Sequence, residues 1–197
     1  MKKILIVGGT GFLGYHYAKY CLLKKFKVIS LSRNKPKNLR YLKKVKYKLA
    51  DISNKQKTYK ILKNIKNINY VINFGGEVEH KKIKTTYRSH YVGLKNLADF
   101  FSTKKITKFI QIGSSLEYGK RNSPQKENMS AKPDSNYAIA KNNASNYLLK
   151  LHRNKKFPVV IVRPYQVYGP YQDSNRLIPI VINNCLTLGY MVFYILI

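Results

Sequence analysis

An apolar run, Ile4-Leu5-Ile6-Val7, ends on Gly8-Gly9-Thr10-Gly11-Phe12-Leu13-Gly14, and this junction limits the fold more than any other feature of the chain. Four apolar residues without alternation predict a strand buried on both faces. Glycines spaced three apart then predict a tight turn that opens a helix. The same alternation recurs downstream. Strands are predicted at Ile4–Val7, Lys27–Leu31, Val45–Leu49, Tyr70–Asn73, Phe109–Ile112 and Val159–Val162, with helices at Leu13–Lys25, Lys55–Ile65, Thr85–Phe101 and Asn136–His152. Strands separated by long helical crossovers form a parallel, doubly wound α/β sheet. The polar stretch Ser115–Ser135, with Pro124 and Pro133, reads as a surface loop close to function.

A chain of 197 residues holds one domain, or one domain and a fragment of a second. The boundary is expected after residue 163, with residues 164–197 forming only the start of a C-terminal part. The formal net charge of +30 raises the question of nucleic acid. The lysines are scattered from Lys2 to Lys156, however, and accompany many Asn, Ile and Tyr residues. That pattern describes a solvated basic surface and argues against a specific nucleic-acid partner. Cys21 and Cys185 have neither metal-ligand spacing nor a secretory context, so reduced thiols in a cytoplasmic protein are expected, with no metal site. The apolar run at the N-terminus is too short for a signal peptide. No charged residue follows Arg176, but Pro179, Asn183 and Asn184 interrupt the final apolar stretch, which argues against a membrane anchor. An altered end to a longer reading frame is the expectation there.

The glycine turn has a chemical reading. A turn of this kind sets backbone N–H groups and a helix N-terminus against a pyrophosphate, at a place side chains would block. Its position straight after the first strand predicts a Rossmann-type dinucleotide site, with Gly8, Thr10, Gly11, Phe12, Leu13 and Gly14 against the phosphates. At the end of the second strand an acidic residue would accept from the ribose 2′-hydroxyl of NAD. Here the sequence is Leu31-Ser32-Arg33-Asn34-Lys35, which places Arg33 where a 2′-phosphate would lie. The cofactor is therefore NADP or NAD, with NADP favoured.

Tyr137 and Lys141 stand four apart, on one face of a predicted helix. A tyrosine of ordinary pKa near 10 is a poor base at neutral pH, and a nearby ammonium would stabilise its phenolate. The same lysine could hold a nicotinamide ribose, and a serine of Gly113-Ser114-Ser115-Leu116-Glu117-Tyr118-Gly119 could orient the reacting oxygen. Taken alone, a Tyr–Lys pair in a chain with 17 tyrosines is as readily a surface pair.

The ordered set is more specific than any member. The glycine turn, Asp51, Asn73-Phe74-Gly75-Gly76, the serine segment, Tyr137 with Lys141, and Arg163-Pro164-Tyr165-Gln166-Val167-Tyr168-Gly169-Pro170 follow one another along the chain. Together they resemble the extended short-chain dehydrogenases/reductases, the NAD-dependent epimerase/dehydratase group, from Met1 to about Cys185. The resemblance implies Tyr137 as acid/base, Lys141 as its partner and ribose ligand, and Ser114 as the assisting hydroxyl. It implies Asp51 and Ile52 near the adenine, Phe74, Gly75 and Gly76 along the cofactor path, and Pro164 near the nicotinamide amide. A nucleotide-sugar substrate is implied, as is a homodimer pairing the helices at 85–101 and 136–152.

Departures from the family pattern narrow the chemistry. Sugar 4,6-dehydratases of this group carry an Asp-Glu pair where this chain has Ser115 and Leu116. Glu117, one place later, should point to the other face of an extended segment. Dehydration is therefore disfavoured, whereas epimerisation or ketosugar reduction needs only Ser114, Tyr137, Lys141 and the cofactor. Gln166 stands where Asn is frequent, and His90 stands on a helix where Asn is usual; a lone His is more often structural. Family members also continue well past position 197 into a sugar-binding wall. The alternative to an enzyme is accordingly a truncated cofactor-binding protein without turnover.

Overall fold

The computed structural model describes residues 1–77 and 82–188. The apolar runs are strands of one sheet: β1 (Lys3–Val7), β2 (Lys27–Ser32), β3 (Lys46–Leu49), β4 (Tyr70–Asn73), β5 (Lys108–Ile112) and β6 (Val159–Val162). They lie in the order β3-β2-β1-β4-β5-β6, each neighbouring pair parallel. The order reverses between β1 and β4. In an open parallel sheet, the crevice at the C-terminal strand ends of such a reversal is where ligands bind.

The helices are α1 (Phe12–Leu23), α2 (Lys55–Lys63), α3 (Ile83–Tyr87), α4 (Gly93–Phe101), α5 (Asn136–Lys155) and α6 (Leu177–Leu188). Two apolar layers cover the two faces of the sheet. Leu5, Val7, Leu31, Val71 and Phe109 pack with Leu62 of α2, Leu94, Leu97 and Phe101 of α4, and Ala144 and Leu148 of α5. Ile4, Ile6, Val28 and Ile72 pack with Ala18 and Cys21 of α1. The alternation along β1 thus feeds both layers, which explains its unbroken apolar run. On the α1 side β6 is less covered: Val160 and Val162 remain 42% and 43% exposed.

Helix ends follow local chemistry. The Asn54 side chain accepts from Lys57 N–H at 3.0 Å to start α2, and Ser135 accepts from Ala138 N–H at 3.2 Å to start α5. The latter cap sets Tyr137 in the first turn of its helix. Lys156, left-handed at φ 53°, ends α5.

Three elements differ from the sequence expectation. The helix predicted over 85–101 is two helices joined through a π-type turn, Arg88–Val92, that carries His90. Residues Ser115–Tyr118 form a 3₁₀ turn rather than an extended stretch. Helix α6 was not anticipated; its Pro179 falls in the first turn, where an N–H has no intrahelical partner to lose. The chain separates into a unit spanning Met1–Tyr165 and a second beginning at Gln166. Among the described residues no helix is long and apolar enough to cross a membrane. The apolar run Gly189–Ile197 lies outside the described residues.

Candidate active site

The turn after β1 is shaped by contacts only glycine permits. Gly8 adopts φ +76°, and a Cβ there would lie 3.0 Å from the Gly75 nitrogen and the Phe74 carbonyl carbon. A Cβ on Gly14 would lie 2.2 Å from the Gly8 carbonyl oxygen, so α1 sits directly on the turn. At Gly11, the N-cap of α1, a Cβ would meet only the Gly8 oxygen, at 3.3 Å, among the described residues. The three glycines divide the work: one bends the chain, one leaves its outer side open, one brings the helix close.

This turn borders a cleft of about 190 Å³ lined also by Thr10, Leu31, Ser32, Arg33, Asp51, Ile52, Phe74, Gly75, Gly76 and Ser89. Phe12, Leu13, Gly14, Lys141 and Pro164, the other expected cofactor contacts, do not line it. Side chains hold its floor in place. Asn73 accepts from Gly75 N–H at 2.9 Å and donates to Gln111 at 2.8 Å. Asn96 donates to the Ile52 carbonyl at 2.9 Å, and Asp51 accepts from Ser53 N–H at 2.8 Å. Thr10 N–H points to Ser32 Oγ at 3.4 Å. The glycine cradle and the helix N-terminus behind it fit a dinucleotide pyrophosphate.

At the rim, Arg33 donates to Glu77 at 2.7 Å. The carboxylate raises the guanidinium's already high pKa, mainly through this hydrogen bond. Sequence reading placed Arg33 but gave no sign of Glu77, which approaches from the loop after β4.

Ser114, Tyr137 and Lys141 come together beside the cleft. Ser114 is buried at the end of β5 and caps the following 3₁₀ turn, accepting from Leu116 N–H at 3.2 Å. Tyr137 shares a side-chain hydrogen bond with Ser114. Lys141 lies over the Tyr137 ring, its Nζ 5.6 Å from the centroid, and donates to the Ile112 carbonyl at 2.8 Å. Burial lowers the Lys141 pKa to about 8, opposed by the charge of Glu117. Tyr137 departs from the expected direction. Burial raises its pKa and outweighs the lowering by Ser114, while the Glu117 charge raises it further.

His90 joins the two regions. Its ring stands edge-on to Tyr137 at 4.9 Å. Its Nε2–H donates to the Glu77 carbonyl at 3.0 Å. A Cβ on Gly76 would meet the ring at 2.0 Å, so Gly76 makes room for it. The preceding residue, Ser89, lines the cleft. Pro164 approaches through its backbone, its carbonyl accepting from Ser115 N–H at 3.2 Å.

Glu117 corrects a sequence expectation. Because residues 115–118 turn rather than extend, the side chain points inward and is wholly buried. Its carboxylate accepts from Ser114 N–H at 2.8 Å, Ser145 Oγ–H at 2.7 Å and Arg163 Nε–H at 3.0 Å. The signal available in sequence was an acid three places after a Ser N-cap, a capping box. Among the described residues no group of His, Cys, Asp and Glu is arranged to hold a metal ion.

Comparison with known proteins agrees with this geometry. The model of the NAD dependent epimerase/dehydratase family matches residues 4–194. A dTDP-D-glucose 4,6-dehydratase of Dictyostelium discoideum is 29% identical, the match covering 93% of this chain and 48% of that protein. A UDP-glucose 4-epimerase of Vibrio cholerae is 27% identical, covering 88% and 54%. The chain spans about half the length of the curated relatives it matches. Among solved structures, the dTDP-glucose 4,6-dehydratase of Bacillus anthracis in complex with NAD superposes with a TM-score of 0.83 at 23% identity, over 94% of this chain and 62% of that one. With a parallel Rossmann-type sheet, a glycine cradle at its reversal and a family match along nearly its whole length, the chain belongs to the NAD dependent epimerase/dehydratase family.

Proposed function

We propose that this chain binds a nicotinamide dinucleotide and provides the hydride-transfer centre of a nucleotide-sugar epimerase or ketosugar reductase. The observation that carries the reading is the cluster of Ser114, Tyr137 and Lys141 beside the glycine-lined cleft. Gly8, Thr10 and Gly11 with the first backbone N–H groups of α1, at Phe12 and Leu13, would hold the pyrophosphate, Gly14 serving by letting α1 sit on the turn. Asp51 and Ile52 would meet the adenine, and Phe74, Gly75 and Gly76 would line the path toward the nicotinamide. Lys141 and Pro164 would reach the nicotinamide end. When bound, that ring would accept or supply the hydride and, oxidised, would add a positive charge to the site.

The residues then have distinct tasks. Ser114 and Tyr137 together orient a sugar hydroxyl. Tyr137 takes its proton in oxidation and returns it in reduction. Burial makes the phenolate costly, so cations must supply what burial removes. Protonated Lys141 is one, and the oxidised nicotinamide is the other. In epimerisation Tyr137 would take the hydroxyl proton and later return it while Ser114 holds the oxygen; in reduction Tyr137 would only supply the proton to the keto oxygen.

Dehydration has less support, although relatives that match include dehydratases. Leu116 is a hydrocarbon and 52% exposed, Ser115 is no acid, and Glu117 is enclosed by three donors. Cofactor choice rests on Arg33, which favours NADP; a 2′-phosphate would have to share that guanidinium with Glu77. A second reading is cofactor binding without turnover, for which the glycine cradle alone would suffice.

Titration with NADPH and NADH at about 0.2 M salt, where bulk charge is screened, tests the site. Saturable binding followed by turnover in a nucleotide-sugar screen supports the enzyme; saturable binding without turnover supports the second reading. No saturable binding by the folded protein defeats both. A 4-keto-6-deoxy product would overturn the view of dehydration.

A further inference from the structure

Glu117 has a place in the site that the acid/base chemistry does not use. We infer that it is a positioning residue: a buried carboxylate that fixes Ser114, the Tyr137–Lys141 face of α5 and the end of β6 in one geometry, and serves as counter-charge to Lys141. The inference rests on the function proposed above in assigning roles to Ser114, Tyr137 and Lys141.

Three observations carry it. First, the carboxylate is wholly buried and reaches three separate elements. Ser114 N–H donates to Oε1 from the end of β5, while Ser145 from α5 and Arg163 from just after β6 donate to Oε2. Second, Tyr137, Lys141 and Ser145 are spaced at four-residue steps along α5, on one face of the helix. The Ser145 bond therefore ties the face that presents the phenol and the ammonium to the residue that holds Ser114. Third, the neighbouring chain is cut to fit the carboxylate. A Cβ on Gly113 would lie 2.3 Å from Oε1, so any other residue there would displace it.

The charges make this more than packing. Arg163 also donates to the Tyr118 hydroxyl at 3.3 Å and lies over that ring. Lys141 lies over Tyr137, which His90 of the π-type turn meets edge-on, and it feels the charge of Glu117, whose carboxylate is shared with Arg163, itself bonded to Tyr118. Within this group Glu117 is the carboxylate whose charge favours the ammonium. Without it, Lys141 would be a wholly buried ammonium that has lost the carboxylate charge opposing its desolvation, and it would release its proton more readily.

The test observes Lys141 directly. Protein labelled with ¹³C at lysine Cε is titrated by NMR from pH 6 to 10, with Lys141→Arg identifying the signal. Wild type should titrate near pH 8. Glu117→Gln keeps the volume and removes the charge, so its midpoint should fall by about one pH unit, a tenfold change in proton affinity. Glu117→Asp keeps the charge and should stay close to wild type. Arg163→Gln removes the guanidinium that partly neutralises the Glu117 carboxylate and should move the midpoint upward; it carries the test if Glu117→Gln does not fold. A Lys141 midpoint unmoved in folded Glu117→Gln, or unmoved in Arg163→Gln when that variant alone folds, overturns the inference. Failure of wild type to bind NADH or NADPH defeats the function proposed above and leaves the titration readable.

Discussion

Substituting alanine at Gly14 and at Gly11 should separate folding from binding within a single turn. At Gly14 the new methyl group would meet Gly8 O at 2.2 Å, Gly9 Cα at 2.7 Å and Gly8 C at 2.8 Å, all backbone atoms that no side-chain rotation can move aside. Overpacking of this sort costs about 3 kcal/mol, the upper end of its usual range. Replacing a helical glycine by alanine returns about 1 kcal/mol. The net loss is about 2 kcal/mol, which for a protein of this size lowers the melting temperature by about 4–8 °C. At Gly11 the methyl group meets only Gly8 O, at 3.3 Å, and the backbone angles (φ −79°, ψ 175°) suit alanine. Alanine is a poorer N-cap, so a loss of about 0.5 kcal/mol is expected, or roughly 1–2 °C. That methyl group would stand where the pyrophosphate must approach, so NADH or NADPH affinity should drop about tenfold or more. Thermal melts by circular dichroism and nicotinamide fluorescence titrations read the two effects separately. A Gly14→Ala protein that melts like wild type refutes the packing argument. A Gly11→Ala protein that binds like wild type removes the pyrophosphate from this turn.

Other outcomes follow from the same geometry. Glu77→Gln frees Arg33 and should raise affinity for NADPH relative to NADH; the pair is half-exposed and worth no more than about 1 kcal/mol, so the gain is at most about fivefold. Arg33→Asp should shift preference toward NADH, and equal preference in wild type and variant would remove Arg33 from cofactor choice. Tyr137→Phe should bind cofactor as wild type does yet lose any nucleotide-sugar turnover by at least a hundredfold, the usual share of a general acid/base; retained turnover would exclude the phenol. Burial brings the Lys141 pKa down from the ordinary 10.5 of a lysine to about 8, so the folded state holds its proton less tightly than the unfolded one. That penalty is complete below pH 8 and fades as pH rises toward 10.5. Wild type should therefore gain in melting temperature on Lys141→Met between about pH 7.5 and 9.5. A constant difference across that window would mean Lys141 is not depressed.

Much of the fold could be read before the structure because its signals are local. The runs at Tyr70–Asn73 and Val159–Val162 are strands with the predicted ends, and the other four strands shift by one residue at an end. An apolar run between turn residues needs no distant partner to be recognised. The glycine turn is legible for the same reason, since a positive φ at Gly8 and the close approach at Gly14 leave their mark on the residue itself. What could not be read depends on contacts between elements far apart in the chain. Glu77 meets Arg33 across 44 positions, and Glu117 meets Arg163 across 46. Neither pair leaves a local pattern, and both alter the chemistry read from single residues. Arg33 alone looks like a phosphate ligand, but with Glu77 it is a cation already engaged. Tyr137 and Lys141 alone look like a phenol activated by an ammonium. In place, burial discourages both charges, and Glu117 offsets that for the lysine while opposing the phenolate. The residues proposed for the site could thus be named from motifs and a family resemblance, whereas the electrostatic balance around them is set by the sheet order that brings β5, α5 and the end of β6 around one carboxylate.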